Sequence, residues 1–431
     1  MAARSEPGSS VTPDELGRLG MLVSERLPAY LDDLATLCGI DCGTYTPAGV
    51  DEVGRFVAAR FAALGGSVET RPDPTGRFGA TVIGRFDGQP GAGPRILLIG
   101  HLDTVFDPGT ARARPLRVEE GIARGPGVTD MKGGLLTGLY ALGALRSLTT
   151  PAGGGGSRSG TPRRPGAALS GLPFERIVYL ANPDEEIGSP SSSPHIREIA
   201  AASDVCFVLE AARANGDFVA SRKGIVNARV TVHGRAAHAG VEPEKGRSAI
   251  LAAADMVVRV HALNGRWPGV TVNVGVIGGG TRPNVVAEEC RLEVDVRAVT
   301  RTALDGAEAE VRAVVSAPVV PDVGVEIEEI ARWQPMERLE RSGRLADHVV
   351  ALAGRLGFAA AGAATGGASD ANTTSGMGVP TLDGLGPVGG LDHSPDEYLE
   401  VASIVPRTAL LGALLLAIGR DPAVAAWRRR T

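Results

Sequence analysis

The feature that most constrains the fold is a set of three short segments in which apolar residues follow one another without interruption. These segments cover residues 95–100, 177–181 and 205–209. Runs of this kind, bounded by glycine or proline, are typical of strands that are buried on both faces of a parallel sheet. A helical pattern occupies about 131–145, between the first two runs. The alternation predicts an α/β domain with a mostly parallel sheet covered by helices on both faces.

A different pattern begins near residue 222. Residues 224–233 and 285–297 alternate apolar and polar side chains, as half-buried antiparallel strands do. Amphipathic stretches at 247–263 and 302–315 indicate helices. We therefore predict a small α+β domain inserted into the α/β domain. The predicted bounds are 1–221 with 335–431 for the parent domain, and 222–334 for the inserted one.

Two segments of the parent domain are predicted to lack stable packing. Residues 148–173 are rich in Gly, Ser and Pro and carry few large apolar side chains, so we expect a flexible surface insertion. The tail after residue 420 is expected to be frayed.

Composition excludes several classes of function. Only 4% of the residues are aromatic and the net charge is −5, which argues against a nucleic-acid partner. No run of 18 or more apolar residues is present, so no membrane span is expected. The first residues have no apolar core of a signal peptide, and four cysteines are too few for a disulfide scaffold. We expect a cytoplasmic protein in which Cys38 and Cys42 are two buried thiols rather than part of a metal site.

Metal-capable side chains follow each of the three apolar runs. The first run leads into His101 and Asp103, the second into the acidic residues 184–186, and the third into Glu210. A lone acidic residue after a strand is usually a helix cap or a solvated turn. Ligands of open α/β sheets bind beyond the carboxyl ends of the strands, so three such ends predict one shared cleft.

Two further segments supply candidate ligands. Asp130 lies in a glycine-rich turn over 125–134, and His393 lies in a loop over 386–397. Taken alone, the first is most simply a helix cap and the second an ordinary loop histidine. With His101, Glu186 and Glu210 they form a set of nitrogen and oxygen donors that suits zinc or a similar divalent ion.

Five ligands fit two metal ions if Asp130 bridges them. Each ion then receives three protein ligands, which leaves room for a shared water or hydroxide. Asp103 is a candidate to accept the other imidazole N–H of His101 and fix its tautomer. Glu185 lies beside a ligand and is a candidate general base for the water.

These segments resemble those of the M20 metallopeptidases, and most of all the glutamate carboxypeptidases in that family. The resemblance is carried by residues 101–104, 125–134 and 184–186 together and extends over about 25–420. It implies a zinc-peptidase catalytic domain with an inserted ferredoxin-like lid domain that forms a homodimer. It also implies a cis peptide after Asp130. The ligand set it implies is His101 with Glu210 on one zinc, Glu186 with His393 on the other, and Asp130 between them, with Glu185 as base and Asp103 supporting His101.

The resemblance also assigns roles in the lid domain. His238 matches a histidine that reaches the active site of the partner subunit and stabilises the oxyanion of the tetrahedral intermediate; without the resemblance it reads as a polar hairpin residue. Asn284 and Arg297 match residues that bind the free carboxylate of the substrate. A structural ion pair with Glu293 or Asp295 is the alternative for Arg297. The glycine-rich loop over 366–372, which includes Gly367, matches the lining of the substrate pocket.

The expected function is hydrolysis of an amide bond next to a free carboxylate. The expected cofactors are two Zn²⁺ per chain, with Co²⁺ or Mn²⁺ as substitutes, and the nucleophile is a hydroxide that bridges the metals. Residues 332–335 depart from the glutamate carboxypeptidase pattern, so preference for a C-terminal glutamate is left open. The substrate is then a small peptide or an N-acyl amino acid. The alternatives are an N-acyl-amino-acid deacylase and a catalytically inert, dimeric peptide-binding relative.

Overall fold

A computed structural model describes residues 6–91, 93–149, 169 and 171–427, and it divides into two compact units. The first unit comprises the described residues of 1–220, 338–364 and 369–431, and the second comprises 221–337 and 365–368. Residues 365–368 belong to the second unit, which the domain bounds predicted from the sequence do not include.

The helices and strands are numbered separately in chain order. The helices are α1 (Pro13–Ser24), α2 (Leu27–Cys38), α3 (Pro47–Ala63), α4 (Thr110–Ala113), α5 (Gly133–Thr149), α6 (Ser193–Ala201), α7 (Ala249–His261), α8 (Arg301–Val315), α9 (Glu340–Arg355), α10 (Asp370–Gly376), α11 (Val401–Gly419) and α12 (Pro422–Ala425). The strands are β1 (Ser67–Arg71), β2 (Thr81–Asp87), β3 (Arg95–His101), β4 (Arg117–Glu119), β5 (Ile122–Arg124), β6 (Arg176–Asn182), β7 (Val205–Val208), β8 (Phe218–Arg222), β9 (Gly224–His233), β10 (Thr271–Gly279), β11 (Glu289–Ala298), β12 (Gly324–Trp333), β13 (Gly362–Thr365), β14 (Thr381–Leu382), β15 (Gly389–Gly390) and β16 (Tyr398–Glu400).

The main sheet of the first unit has the strand order β1-β2-β6-β3-β7-β14. β6, β3, β7 and β14 run parallel, and β2 pairs with β6 in the antiparallel sense. The three predicted apolar strands are therefore neighbours, and β3 is the central one of the three. This confirms the predicted α/β class with a mainly parallel sheet. It also places the residues that follow β3, β6 and β7 at one edge of the sheet.

Helices α5 and α11 fill the core of the first unit. They pack against each other, and every residue of α11 from Thr408 to Ile418 is buried. In the described part of the chain α11 alone is long and apolar enough to cross a membrane, yet 78% of the relevant window is buried inside the protein. α11 is thus a core helix of this unit. All four cysteines are buried free thiols.

The second unit is an antiparallel sheet with the order β10-β11-β9-β12, covered by α7 and α8. The chain order is strand, helix, strand, strand, helix, strand, which is the ferredoxin-like arrangement expected for the lid. The strand predicted at 285–297 begins at Glu289 instead. The reason is that the Val286 N–H bonds to the carbonyl of Ala237, so this stretch leaves the ladder with β9.

Of the two expectations of weak packing, one falls mostly outside the described residues and the other is wrong. Most of the predicted insertion, residues 150–168 and 170, lies outside the described residues. At its end, however, Leu169 and Leu172 are buried in the core of the first unit. The tail beyond 420 is anchored as far as it is described, because Asp421 is 2% exposed and pairs with Arg344 and His348. An ion pair made across 73 or more residues has no local signature in the sequence.

Candidate metal centre

The turn that carries Asp130 depends on a glycine. Gly127 has a φ of +70°, and a Cβ at this position would lie 2.6 Å from Cγ2 of Thr104. Any other residue would therefore be both strained and overpacked. The next residues, Val128–Lys132, form a single wide helical turn, and the peptide between Asp130 and Met131 is cis, as the family resemblance implies.

The five predicted ligands lie together at the carboxyl edge of the sheet. Nε2 of His101 is 2.9 Å from Oδ1 of Asp130 and 3.7 Å from Oε1 of Glu210. Nε2 of His393 is 3.0 Å from Oδ2 of Asp130 and 3.0 Å from Oε2 of Glu186. These are two triplets of possible metal ligands that share Asp130, with the ligand atoms of each triplet within 4.8 Å of one another.

Asp103 connects two strand ends of the centre. Nδ1 of His101 lies 3.0 Å from the Asp103 carbonyl and 3.3 Å from its carboxylate. The same carboxylate accepts hydrogen bonds from Thr44 Oγ1 at 2.7 Å and from the peptide N–H groups of Glu185 and Glu186 at 3.2 and 3.3 Å. Asp103 thus orients the imidazole that follows β3 and holds the acidic turn that follows β6.

The electrostatics of the cluster favour added positive charge. Burial opposes protonation of His101, but hydrogen bonds to Asp103 and Asp130 raise its pKa well above the ordinary value. Hydrogen bonds to Asp130 and Glu186 raise the pKa of His393 to about 10. The carboxylates around the two rings thus favour positive charge at this position, which is the charge that a metal ion would bring.

The hydrogen bonding of the donor atoms also fits a bound cation. Oε1 of Glu186 is buried and has no hydrogen-bond partner in the described part of the chain. A buried carboxylate oxygen without a donor is costly, and a bound cation would satisfy it. His393 occupies the left-handed region with a φ of +62°, a conformation that a non-glycine residue adopts at a cost. The chain is thus held in an unfavourable conformation at the position that aims this ring at the cluster.

Glu185 lies beside both triplets and is a member of neither among the described residues. Burial raises its pKa well above the ordinary value; His101 opposes the shift, and the carboxylates Glu210 and Asp370 add to it. A carboxyl group in this environment takes up a proton readily, which is the property that a general base needs.

Two of the predicted lid residues are exposed on the second unit. Nδ1 of His238 accepts a hydrogen bond from the Gly240 N–H at 3.1 Å. The neutral ring therefore carries its proton on Nε2, where it is available to a ligand. The carbonyl of Asn284 accepts from the Ala239 N–H at 3.0 Å, and the residue is exposed.

The other two lid residues take part in contacts within the second unit. Nε of Arg297 donates to Asp295 at 2.9 Å, and its Nη1 donates to the carbonyl of Gly366 at 2.9 Å. The ion pair of Arg297 with Asp295 is one of the two that the sequence analysis gave as the alternative to substrate binding. The carbonyl of Gly367 accepts from Nη1 of Arg222 at 3.1 Å. Both arginines thus hold the segment 365–368 on this unit.

Sequence reasoning did not single out two buried carboxylates near the centre. Glu397 accepts three peptide hydrogen bonds from the turn that carries Asp130. Asp370 accepts from Ser189 Oγ at 2.6 Å, and burial raises its pKa to about 7. Both lie in segments noted for their glycine content, but their partners are backbone atoms or a distant hydroxyl, and these leave no pattern in the sequence.

Comparisons with known proteins match segments of both units. Residues 220–323 match the family model described as "Peptidase dimerisation domain", and residues 97–153 match the one described as "Peptidase family M20/M25/M40". The first matched segment covers most of the second unit, and the second includes His101 and Asp130.

Curated relatives match over nearly the whole chain. Carboxypeptidase G2 of Pseudomonas sp. (strain RS-16) is 29% identical over 404 residues, which is 92% of this chain and 91% of that protein. Acetylornithine deacetylase of Proteus mirabilis (strain HI4320) is 26% identical over 90% of this chain and 97% of that protein. Among solved structures, the aminopeptidase PepT of Bacillus cereus ATCC 10987 has a TM-score of 0.70 at 22% identity, covering 92% of this chain and 99% of its own.

Proposed function

We propose that this chain, two segments of which match family models of the M20 peptidases, is a dinuclear zinc amidohydrolase of the carboxypeptidase type. The bond cleaved is an amide next to a free carboxylate, in a small peptide or an N-acyl amino acid.

The observation that carries the proposal is the position of Asp130 between two ligand triplets. One carboxylate oxygen faces His101 at 2.9 Å and the other faces His393 at 3.0 Å. A carboxylate that serves two triplets with separate oxygens suits two cations of similar size. We assign His101 and Glu210 to one Zn²⁺ and Glu186 and His393 to the other, with Co²⁺ or Mn²⁺ as substitutes.

When bound, the two zinc ions polarise the scissile carbonyl and lower the pKa of the attacking water. Glu185 accepts the proton from that water as oxygen attacks the carbonyl carbon. It then gives the proton to the amide nitrogen as the C–N bond breaks, so the products are a carboxylate and an amine. Asp103 keeps His101 in the tautomer that presents Nε2 to the metal.

In the lid we propose that His238 donates from Nε2 to the oxyanion formed in the partner's active site. The hydrogen bond from Gly240 to Nδ1 supports this, because it leaves Nε2–H as the free donor. Asn284 and Arg297 are proposed to bind the substrate carboxylate, and Gly367 is proposed to line the substrate pocket. For Arg297 this requires the guanidinium, which is 37% exposed, to share its charge with Asp295.

A homodimer formed through the lid is part of the proposal. β10 is an edge strand of the lid sheet and exposes Val276 and Ile277 at 54% and 51%. α7, which packs on that strand, exposes Leu251 and Val258 at 59% and 69%. An open strand edge beside exposed apolar side chains favours pairing with a second copy across a twofold axis.

The test combines metal analysis with a substrate screen. Purified enzyme loaded with zinc is expected to retain about two ions per chain after desalting, and to hydrolyse some dipeptides or N-acyl amino acids, with glutamate release scored separately. Glu185→Gln is expected to keep the zinc and lose kcat by several orders of magnitude, which controls for contaminating hydrolases. Intact ligands with less than one zinc per chain would instead support the inert peptide-binding alternative.

A second candidate is an N-acyl-amino-acid deacylase. It is favoured by the match to acetylornithine deacetylase, which spans 90% of this chain. The same screen separates the two, because a deacylase releases a small acid such as acetate or succinate and a carboxypeptidase releases a C-terminal amino acid. Higher kcat/KM for N-acetyl or N-succinyl amino acids than for all dipeptides would favour the deacylase.

A further inference from the structure

Glu397 is a fully buried carboxylate that accepts hydrogen bonds from the peptide groups of one turn. Its side chain accepts from the N–H of Gly127 at 2.8 Å, of Thr129 at 2.8 Å and of Asp130 at 3.0 Å. The residue is 1% exposed. Burying a charge in this way is costly unless its lone pairs are satisfied, and here three donors from the Asp130 turn satisfy them.

The segment that carries Glu397 also carries His393. The two residues are four positions apart, and the intervening carbonyls of Ser394 and Asp396 accept hydrogen bonds from Arg114 Nη1 at 3.3 Å and Arg124 Nη1 at 3.0 Å. Directly after Glu397, β16 pairs with β5. The loop is thus tied to the strand that leads into the Asp130 turn, and Glu397 is the side chain that reaches from the loop into the turn itself.

The opposite side of the same turn is held by Lys132. Its side chain is 1% exposed, and Nζ donates to the carbonyl of Pro126 at 2.9 Å and to that of Ile40 at 3.5 Å. The peptide N–H groups of the turn therefore face a buried anion, and one of its carbonyl groups faces a buried cation. A turn held at both sides has little freedom to shift the carboxylate of Asp130.

We propose that Glu397 is a positioning residue that sets the distance between Asp130 and His393, and thereby the affinity of the centre for its metal ions. The inference rests on the proposed function, since it assumes that these two residues are metal ligands. Their facing atoms are 3.0 Å apart although the residues are 263 positions apart in the chain. Metal ions require ligand distances within a few tenths of an ångström, so a small displacement of the turn weakens binding.

The chemistry at position 397 calls for a carboxylate. Both oxygens accept peptide N–H groups, Oε1 from two of them and Oε2 from one. In Glu397→Gln one oxygen becomes an NH₂ group, which would face a peptide N–H as donor against donor. The turn must then move away on one side, while the size of the side chain is unchanged.

The matched control is Asp421→Asn. Asp421 is also a buried carboxylate, 2% exposed, and it also accepts a peptide hydrogen bond, from Ala423 at 2.9 Å. Its other partners are Arg344 and His348, which belong to α9. The control therefore reports the effect of neutralising a buried carboxylate in the same unit away from the ligands.

The experiment titrates metal-free wild type, Glu397→Gln and Asp421→Asn with Zn²⁺ against a competing chelator. The visible spectrum of each protein is also recorded after loading with Co²⁺. We expect Glu397→Gln to bind zinc about 10- to 100-fold more weakly than wild type and to change the Co²⁺ spectrum, which reports the ligand geometry. Asp421→Asn is expected to lower the melting temperature with wild-type zinc affinity and spectrum.

The experiment distinguishes a failure of the positioning role from a failure of the proposed function. If wild type binds no zinc or cobalt, the proposed function is wrong and the inference falls with it. If wild type binds metal and folded Glu397→Gln has the same affinity and spectrum, the positioning role is wrong although the function stands. Should Glu397→Gln not fold, Glu397→Asp keeps the charge on a shorter side chain, and wild-type affinity and spectrum in that variant would likewise overturn the inference.

Discussion

Arg407 offers the sharpest test of what stabilises the core of the first unit. It lies inside the apolar helix α11, is 2% exposed, and donates to the carbonyl groups of Gly216, Gly384 and Gly386 at 2.9, 2.6 and 2.9 Å. Burial lowers the pKa of its guanidinium to about 10. The perturbation is Arg407→Met, which keeps an unbranched apolar stem and removes all three donors.

The expected loss of stability follows from the carbonyl groups that Arg407→Met leaves without a donor. The carbonyls of Gly384 and Gly386 are buried, and each costs about 1–3 kcal/mol without its donor, or about 2–6 kcal/mol together. The carbonyl of Gly216 is only partly buried and costs less. Removal of the guanidinium offsets part of this, because its desolvation is no longer needed and the methionine adds apolar burial. We therefore expect the free energy of unfolding to fall by about 3 kcal/mol at neutral pH.

Urea denaturation measures this loss of stability if the fluorescence signal comes from the first unit alone. Trp427 lies in the first unit, whereas Trp267 and Trp333 lie in the second, so replacing the latter two by Phe leaves a reporter for the first. The control is Arg355→Met, because Arg355 also donates to two carbonyls but is exposed and should cost less than about 1 kcal/mol. A loss below about 1 kcal/mol for Arg407→Met, with an unchanged urea m-value, would refute the reasoning.

Three further predictions follow from other contacts. Hydrogen bonds from Arg420 lower the pKa of Glu15 from 4.5 to about 2, so the stabilisation is present above pH 4.5 and disappears as the pH falls towards 2. This pKa shift corresponds to an upper bound of about 3 kcal/mol of stability, which solvent screening at this partly exposed pair reduces to about 1–2 kcal/mol. Glu15→Gln should lower the free energy of unfolding by this amount at pH 7 in urea titrations. Equal losses at pH 7 and pH 3 would contradict the prediction. Ile277→Asp places a charge on the exposed lid edge and should convert the proposed dimer to monomer in sedimentation velocity, whereas an unchanged dimer would exclude this edge as the interface. Asp103→Asn should weaken zinc binding about 10- to 100-fold in chelator competition, because it disturbs the orientation of His101; wild-type affinity would show that the carbonyl contact alone suffices.

Much of the first unit could be predicted because its signals are local. The continuous apolar runs predict β3, β6 and β7, and the residues that follow them must reach the same edge once the strands are parallel. His101 and Glu210 are therefore neighbours for a reason that is visible in the sequence. Asp130 and His393 were weaker candidates, because one lies before a helix and the other in a loop, and only their combination with His101, Glu186 and Glu210 indicated a metal site.

The antiparallel additions to the fold were harder to predict. β4, β5, β15 and β16 are two or three residues long, too short to show a period, and β5 pairs with β16 across more than 270 residues. The tail after 420 was predicted to be frayed for a related reason. Its anchor, Asp421, meets Arg344 and His348 only after α9 and α11 have packed.

The sequence by itself determined the fold class, the two kinds of domain and the types of side chain at the strand ends, because hydrophobic period and strand direction are local properties. Only the tertiary structure decided how those side chains are held. Glu397 satisfies peptide N–H groups of the Asp130 turn, and Arg407 satisfies carbonyl groups of the segment that leads towards His393. Every residue other than proline has the same N–H and C=O groups, so the sequence does not specify which backbone groups a buried charge will bind. Only folding brings those groups within reach of the side chain.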